Sequence, residues 1–186
     1  MRNLQPWPEL PIPAGVDLDL FRHAVSGAPP AVWGEGNPDA GLALLLDNPG
    51  QRVDSAGTAW VCPTRQELRA ALAEAGCPEP AAQIFFLYKF RPRRAYDRPS
   101  ANALMVPVLA EQVRRSRSRT LLALGNTVAK ALLGPDADVQ ALRGRRLTWA
   151  GRPLFVSYHP LAARRRPPLH PLLVEDVRQA LRATAQ

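Results

Sequence analysis

The sequence predicts a single three-layer α/β/α domain built on a central, mainly parallel, four-stranded sheet. The chain has 186 residues, 46% of them hydrophobic and 22% charged, which is enough for one sizeable core and too few for two full domains. Four short apolar runs bounded by turn residues occur along it, separated by segments with helical spacing. This alternation is typical of parallel strands whose connecting helices cover both faces of a sheet.

The N-terminal segment, residues 1–30, indicates an arm followed by a helix. Residues 4–13 are rich in proline, which favours an extended arm. Residues 16–25 carry apolar side chains at helical spacing, and Asp17 can cap that helix.

The rest of the chain alternates between predicted strands and helices. Residues 41–46, GLALLL, are apolar and end at the turn residues 47–50, so they predict a buried parallel strand. The other predicted strands are residues 84–88, 120–124 and 154–158. The predicted helices are residues 64–75, capped by Thr64; 100–115, kinked at Pro107; 126–133, closed by Gly134; and 171–183, with Leu172, Leu173, Val177 and Leu181 on one apolar face. Residues 91–98 form a basic loop and residues 141–150 a less regular basic stretch.

The charge balance favours a nucleic-acid partner. The net charge is +8, and it comes almost wholly from arginine because Lys89 and Lys130 are the only lysines. The planar guanidinium suits contacts with phosphate. A genome rich in G and C also enriches arginine, so the charge alone does not decide the partner.

The cysteines and the hydropathy pattern point to a reducing compartment. Cys62 and Cys77 are too few for a disulfide framework and do not form a CxxC pair, so they are interpreted as ordinary thiols. No stretch approaches the roughly 20 apolar residues of a membrane span, and the N-terminus lacks the apolar run of a signal peptide. We expect a cytoplasmic monomer with no membrane segment.

Polar clusters follow three of the predicted strands, and parallel topology would bring them to one edge of the sheet. The clusters are residues 47–50, the loop at residues 89–97, and His159 with Pro160. Taken one at a time, an Asn-Pro-Gly sequence is usually a turn and a histidine before proline is usually structural. Their joint placement at strand ends favours a functional site.

Four motifs in this order resemble those of the uracil-DNA glycosylase superfamily, most closely its family-4 branch. The resemblance covers the chain from about Trp33 to the C-terminus. The motifs are GEGNPDA at residues 34–40; NPG at residues 48–50, followed by Asp54, Gly57 and Trp60; residues 121–134, which look like LGxTAAxALLG; and YHP at residues 158–160.

The resemblance implies a hydrolase that flips a damaged base out of DNA and cuts its N-glycosidic bond. Asn48 would hold the attacking water, and Asp47 would act as a base or stabilise charge on the sugar. His159 would donate to a carbonyl oxygen of the departing base. Residues near the base would be Gly50, whose backbone can approach closely, and Trp60, whose ring would stack on the base. Trp60 as a core aromatic and Asp47 as a turn cap remain alternatives.

Basic and apolar residues supply the predicted DNA interface. Leu161 or Arg164 would fill the space left by the flipped base, and Arg165 lies in the same basic run. Arg91, Arg93, Arg94 and Arg98 would contact phosphates. For any one of these arginines, a solvated surface role is the alternative.

Two departures from the family pattern bear on cofactor and substrate. Family-4 enzymes hold an iron–sulfur cluster with four cysteines, whereas this chain has two and places Phe90 and about Met105 where the later pair would lie. We therefore predict no cluster, metal or other cofactor. Phe86 stands where the family carries a base-reading asparagine, so it would line the base pocket without pairing to the edge of uracil.

Two hypotheses of different classes follow. The first is a monofunctional DNA glycosylase for uracil, hypoxanthine or xanthine. The second is a lesion- or DNA-binding protein that keeps the scaffold and has lost catalysis. A nucleotide-processing α/β enzyme is weaker, because neither a GxGxxG sequence nor a P-loop follows the first strand.

Overall fold

A six-stranded sheet lies at the centre of the protein. The computed structural model describes residues 7–10, 31–50, 62–77, 82–90 and 98–186. The strands are β1 (Glu35–Gly36), β2 (Leu42–Leu46), β3 (Ala82–Phe86), β4 (Thr120–Leu124), β5 (Leu147–Trp149) and β6 (Arg152–Ser157). They lie side by side in the order β1-β3-β2-β4-β6-β5.

The four inner strands are the predicted ones, and they are parallel. In the middle of the sheet, Leu44 of β2 pairs with Ile84 of β3 on one side and Leu122 of β4 on the other. Strands β1 and β5 add antiparallel edges, which makes the predicted count of four strands wrong. The α/β class with a mainly parallel sheet is confirmed.

Helices cover both faces of this sheet. They are α1 (Pro63–Glu74), α2 (Arg98–Arg115), α3 (Asn126–Leu133), α4 (Val139–Leu142), α5 (Pro160–Arg165) and α6 (His170–Thr184), with a 3₁₀ turn at Pro167–Leu169. Cys62 occupies the N-cap of α1 and Pro63 its first position, so the prediction that Thr64 caps this helix is wrong. Pro107 lies inside α2, and Gly134 ends α3 as expected.

The core consists of two apolar clusters, one on each face of the sheet. Leu42 and Leu44 of β2 belong to the cluster that contains α1 and α6, and Ala43 and Leu45 belong to the cluster that contains α2 and α3. Successive side chains of a strand point to opposite faces, so a strand buried on both faces must be apolar throughout. This is why a continuous apolar run, rather than an alternating one, marks β2.

One predicted core residue of the last helix lies elsewhere. Leu173 and Val177 of α6 are buried as predicted, whereas Leu172 is 36% exposed. The buried stripe of α6 continues through Ala180, seven residues after Leu173. Leu172 is one residue, or about 100°, away from that stripe and faces outward.

Residues 7–10 lie alongside β1. The Gly36 N–H donates to the Pro8 carbonyl at 2.9 Å, and the Leu10 N–H donates to the Gly34 carbonyl at 2.8 Å. This agrees with an extended arm over the described part of residues 4–13. The helix predicted at residues 16–25 and most of the basic loop at residues 91–98 lie outside the described residues. None of the described helices is long and apolar enough to cross a membrane.

Candidate active site at the carboxyl ends of the parallel strands

A pocket of about 600 Å³ opens where β2, β3 and β6 end. Asp47, Asn48 and Gly50 enter it directly after β2, Phe86 is the last residue of β3, and His159 follows β6. The other lining residues come from α1 and α5, with Arg98 at the start of α2 and Thr127 of α3. Parallel topology thus brings segments more than a hundred residues apart in sequence to one place.

Most of the predicted site residues line this pocket. They are Asp47, Asn48, Gly50, Phe86, His159, Leu161 and Arg164, joined by Arg98 from the predicted phosphate contacts. Arg165 lines a neighbouring pocket of about 560 Å³, which shares Asp47, His159 and Leu161 with the first. Trp60, Arg91, Arg93 and Arg94 lie outside the described residues.

Asp47 and His159 form the polar centre of the site. The Asp47 Oδ1 lies 3.4 Å from the His159 Nε2 and accepts a 2.8 Å hydrogen bond from the Asn48 N–H. Burial alone would raise the pKa of the Asp47 carboxyl, but the contacts with His159 and with the Asn48 backbone hold this pKa below its usual value. Asp47 is therefore a carboxylate at neutral pH.

The ring of His159 is oriented by its own helix. The Leu161 N–H donates to the His159 Nδ1 at 3.1 Å, so this nitrogen is an acceptor and His159 serves as the N-cap of α5. In the neutral ring the proton is therefore on Nε2, the nitrogen that faces Asp47. His159 can accordingly donate a hydrogen bond from Nε2 into the pocket.

Asn48 and Gly50 line the wall next to Asp47. The Asn48 Nδ2 donates to the Pro49 carbonyl at 3.0 Å, which leaves its Oδ1 without a partner among the described residues. A Cβ built on Gly50 would meet no atom within 4 Å. The backbone at Gly50 is therefore open on the side where a side chain would project.

A buried lysine holds the end of β3 in place behind the pocket. The Lys89 Nζ donates to the Phe86 carbonyl at 2.5 Å and also to the Gln112 Oε1. Gln112 in turn donates to the Trp33 carbonyl at 2.8 Å. Burial lowers the pKa of Lys89 to about 7. The lysine thus connects Phe86 to α2 and to the segment before β1.

Two residues that sequence reasoning did not select also line the pocket, Arg65 in the first turn of α1 and Thr127 of α3. The Arg65 Nη2 pairs with the Oε2 of fully buried Glu35 at 2.6 Å. Burial raises the pKa of Glu35, and the neighbouring Arg65 and Arg69 oppose that effect. The one signal available for Arg65 is its place directly after Thr64, the predicted cap of this helix.

Helix α5 and the residue that follows it carry three arginines beside the pocket. Arg164, Arg165 and Arg166 are exposed, and none of the three pairs with a carboxylate among the described residues. Leu161 lies at the boundary between the two pockets. This helix therefore offers unpaired positive charge and one apolar side chain at the mouth of the site.

The residues present do not fit a four-cysteine iron–sulfur cluster. The whole chain has only Cys62 and Cys77. Cys62 lines the pocket, whereas Cys77 belongs to the apolar cluster under α1 and α6. Met105 is 2% exposed and belongs to the apolar cluster on the opposite face of the sheet, and Phe90 packs against that second cluster. Apolar side chains thus occupy Phe90 and Met105, the positions at or near which the resemblance would place the later cysteines.

Comparisons with known proteins show the family to which this chain belongs. The sequence model of the Uracil DNA glycosylase superfamily matches residues 33–182. The chain is similar to Type-4 uracil-DNA glycosylases over most of their length. The one from Pyrobaculum aerophilum is 31% identical over 79% of this chain and 80% of its own length. The corresponding protein of Saccharolobus solfataricus is 29% identical over 82% of this chain and 76% of its own, and that of Thermotoga maritima 26% over 80% of each. The chain belongs to the uracil-DNA glycosylase superfamily.

Proposed function

We propose that this protein is a DNA glycosylase that removes uracil or a related deaminated base in base excision repair. The observation that carries the proposal is the convergence of Asp47, Asn48 and His159 on one pocket at the carboxyl edge of the sheet. The relatives named Type-4 uracil-DNA glycosylases support the choice of reaction. A base that is to be cut must leave the DNA stack, and a pocket of about 600 Å³ has room for a nucleobase and water.

The chemistry requires a positioned water on one side of the sugar and a hydrogen-bond donor at the base. The C1′–N bond breaks with its electron pair going to the base, and water adds to the cationic sugar carbon. In the proposal the Asn48 Oδ1 holds that water, and the Asp47 carboxylate stabilises the sugar cation and takes the proton that the water loses. His159 donates from Nε2 to a carbonyl oxygen of the base, which stabilises the leaving anion.

Residues at the mouth of the pocket would hold the DNA. Leu161 or Arg164 would fill the gap in the stack, and Trp60 would stack on the flipped base. Arg165, Arg91, Arg93 and Arg94 would contact phosphates. The proposed enzyme acts as a monomer and carries out base release alone, without a strand-cleavage step.

Base release from defined oligonucleotides tests the proposal. Single- and double-stranded DNA carrying uracil, hypoxanthine or xanthine is incubated with the protein, and abasic sites are cleaved with alkali. We expect release of at least one base, reduced about 10²- to 10³-fold in Asn48→Ala and His159→Ala. Asn37→Ala is the matched control, because Asn37 lies before β2 at the opposite edge of the sheet. Folded wild-type protein that releases none of the three bases would contradict the proposal.

A lesion-binding protein without catalysis is the second candidate, and Phe86 favours it. This side chain lines the pocket but has no polar atom with which to pair to a base. Such a protein would bind lesion-containing DNA more tightly than undamaged DNA and release no base. Its lesion affinity would also survive Asn48→Ala, because no attacking water would need to be held.

A further inference from the structure

Arg65 places a guanidinium group beside Phe86 in the wall of the pocket. It lies in the first turn of α1, and its side chain is only 10% exposed. Arginine is seldom this buried unless its charge is paired and its hydrogen-bond donors are used. The contacts of Arg65 therefore indicate what this position does.

The guanidinium is held on more than one side. Its central carbon lies 5.6 Å from the centre of the Phe86 ring and 5.9 Å from that of Trp7, distances typical of cation–π contacts. Its Nη2 pairs with the buried carboxylate of Glu35 at 2.6 Å. Glu35 and the rings fix the plane of the group before any ligand binds.

One end of this fixed group is unused. The Arg65 Nη1 is buried, and no hydrogen-bond partner for it lies among the described residues. A buried charged donor without an acceptor is unfavourable, and because Arg65 lines the pocket, a ligand that brings an acceptor to this atom would satisfy it. The neighbouring Phe86 cannot meet this need, because its side chain has no polar atom.

We propose that Arg65 reads the flipped base, donating from Nη1 to a carbonyl oxygen on the ring edge while Phe86 supports the guanidinium. This inference rests on the proposed glycosylase function and names its substrate class. Guanidinium has donors only, so it accepts bases with a 4-oxo pyrimidine or 6-oxo purine edge, such as uracil, hypoxanthine and xanthine. It rejects cytosine and adenine, whose amino groups at the same place are donors.

A substrate without the 4-oxo group separates base reading from a structural role. DNA containing 2-pyrimidinone keeps the ring size and 2-oxo group of uracil but has hydrogen at C4 and no proton on N3, so the effect of the Arg65 variant is read from the change in preference relative to wild type. The measured quantity is the ratio of kcat/KM on uracil to that on 2-pyrimidinone. We expect Arg65→Met to lower this ratio about 10- to 100-fold relative to wild type, the usual effect of losing a buried charged hydrogen bond.

Arg69→Met is the matched control. Arg69 lies one turn along α1, is also buried, and its guanidinium carbon lies 5.9 Å from the centre of the Trp7 ring, but it is not among the residues that line the pocket. Removing Arg65 leaves Glu35 buried without its partner, so the double variant Glu35→Gln/Arg65→Met serves if the single variant unfolds. An unchanged ratio in a folded Arg65 variant, or an equal change in Arg69→Met, overturns the inference.

A binding measurement keeps this test independent of catalysis. Oligonucleotides with 2′-fluorinated nucleotides, which resist cleavage, carry uracil or 2-pyrimidinone, and the affinities of wild type and Arg65→Met are compared. If wild type cleaves nothing but prefers uracil through Arg65, the proposed catalysis fails and the base-reading role stands. If wild type cleaves uracil and the Arg65 variant keeps the wild-type preference in both assays, the base-reading role fails and the proposed function stands.

Discussion

Two glycines flank α3 with nearly the same backbone angles, but only one of them touches the site. Gly125 has φ 94° and ψ 161°, and Gly134 has φ 108° and ψ 162°. A Cβ on Gly125 would lie 2.9 Å from the Cβ of His159, whereas a Cβ on Gly134 would meet nothing within 4 Å. The absence of a side chain at Gly125 therefore lets β4 approach His159 closely.

Gly125→Ala should displace His159, while Gly134→Ala should not. Both substitutions place alanine in a backbone region that is nearly exclusive to glycine, which costs about 1–3 kcal/mol of unfolding free energy in each variant. Only Gly125→Ala should also lower base release, because its methyl group overlaps the His159 side chain. Urea unfolding and the uracil-release assay measure the two effects separately. Equal loss of activity in both variants would show that backbone strain, not contact with His159, is responsible.

The residues of the site differ in how far the sequence predicts them. Asp47 and Asn48 follow one apolar run and His159 follows another, so a parallel sheet already brings them to one edge. Arg65 could not be found in this way, because its role depends on a pairing with Glu35, thirty residues earlier and buried by the tertiary fold. The local sequence pattern identifies the ends of strands, whereas the position of a buried charge depends on the residue with which it pairs in the folded protein.

At the scale of the element, buried strands are predictable and edge strands are not. Strands β2 and β4 are buried at every position, and their apolar runs stand out. Strand β1 has only two residues, one of them charged, and β5 lies in a basic stretch, so both depend on pairing with a neighbour. The prediction of β3 was two residues late because Leu87 and Tyr88 are also buried and still donate backbone hydrogen bonds to Leu46 and Asp47 at 2.7 Å.

Helices α1 and α6 are joined by a histidine between two carboxylates, which predicts a pH-dependent stability. The His170 Nδ1 lies 2.6 Å from Glu67 and its Nε2 3.1 Å from Glu74. Burial would lower the pKa of His170, but the two hydrogen-bonded carboxylates raise it above its usual value. The stabilisation from protonated His170 is therefore complete below its pKa in the unfolded chain, about 6.5. It is lost as the pH rises through the higher pKa that His170 has in the folded protein.

His170→Gln should therefore destabilise the protein more in acid than in alkali. We expect a loss on the order of 1 kcal/mol near pH 6, because the pair is partly solvent-screened, and a smaller loss near pH 9. Urea unfolding of both proteins at each pH gives the difference directly. The neutral glutamine keeps some hydrogen bonding but cannot carry charge, so a loss that is the same at both pH values would contradict the ionic contribution.

On the scale of the whole molecule, the positive charge is placed unevenly around the site. The net charge is +8, yet many described arginines pair with a carboxylate, such as Arg114 and Arg115 with Glu111 on α2. Exposed Arg164 and Arg165 on α5 have no such partner among the described residues and lie next to the pocket. Binding to a polyanion should therefore depend on α5 more than on α2, although both helices carry exposed arginines.

The salt dependence of DNA binding should distinguish these two helices. Each phosphate neutralised on a duplex contributes about 0.9 to the slope of the logarithm of the affinity against the logarithm of the salt concentration, because counterions are released. Arg164→Ala and Arg165→Ala should each lower that slope by about 0.9, whereas Arg114→Ala should leave it unchanged because Arg114 already pairs with Glu111 on its own helix. Titration of an uncleavable, uracil-containing duplex at several salt concentrations measures the slopes. If all three variants kept the wild-type slope, DNA would be bound by another surface. The loss of a phosphate contact leaves counterions bound to the DNA and must therefore lower the slope.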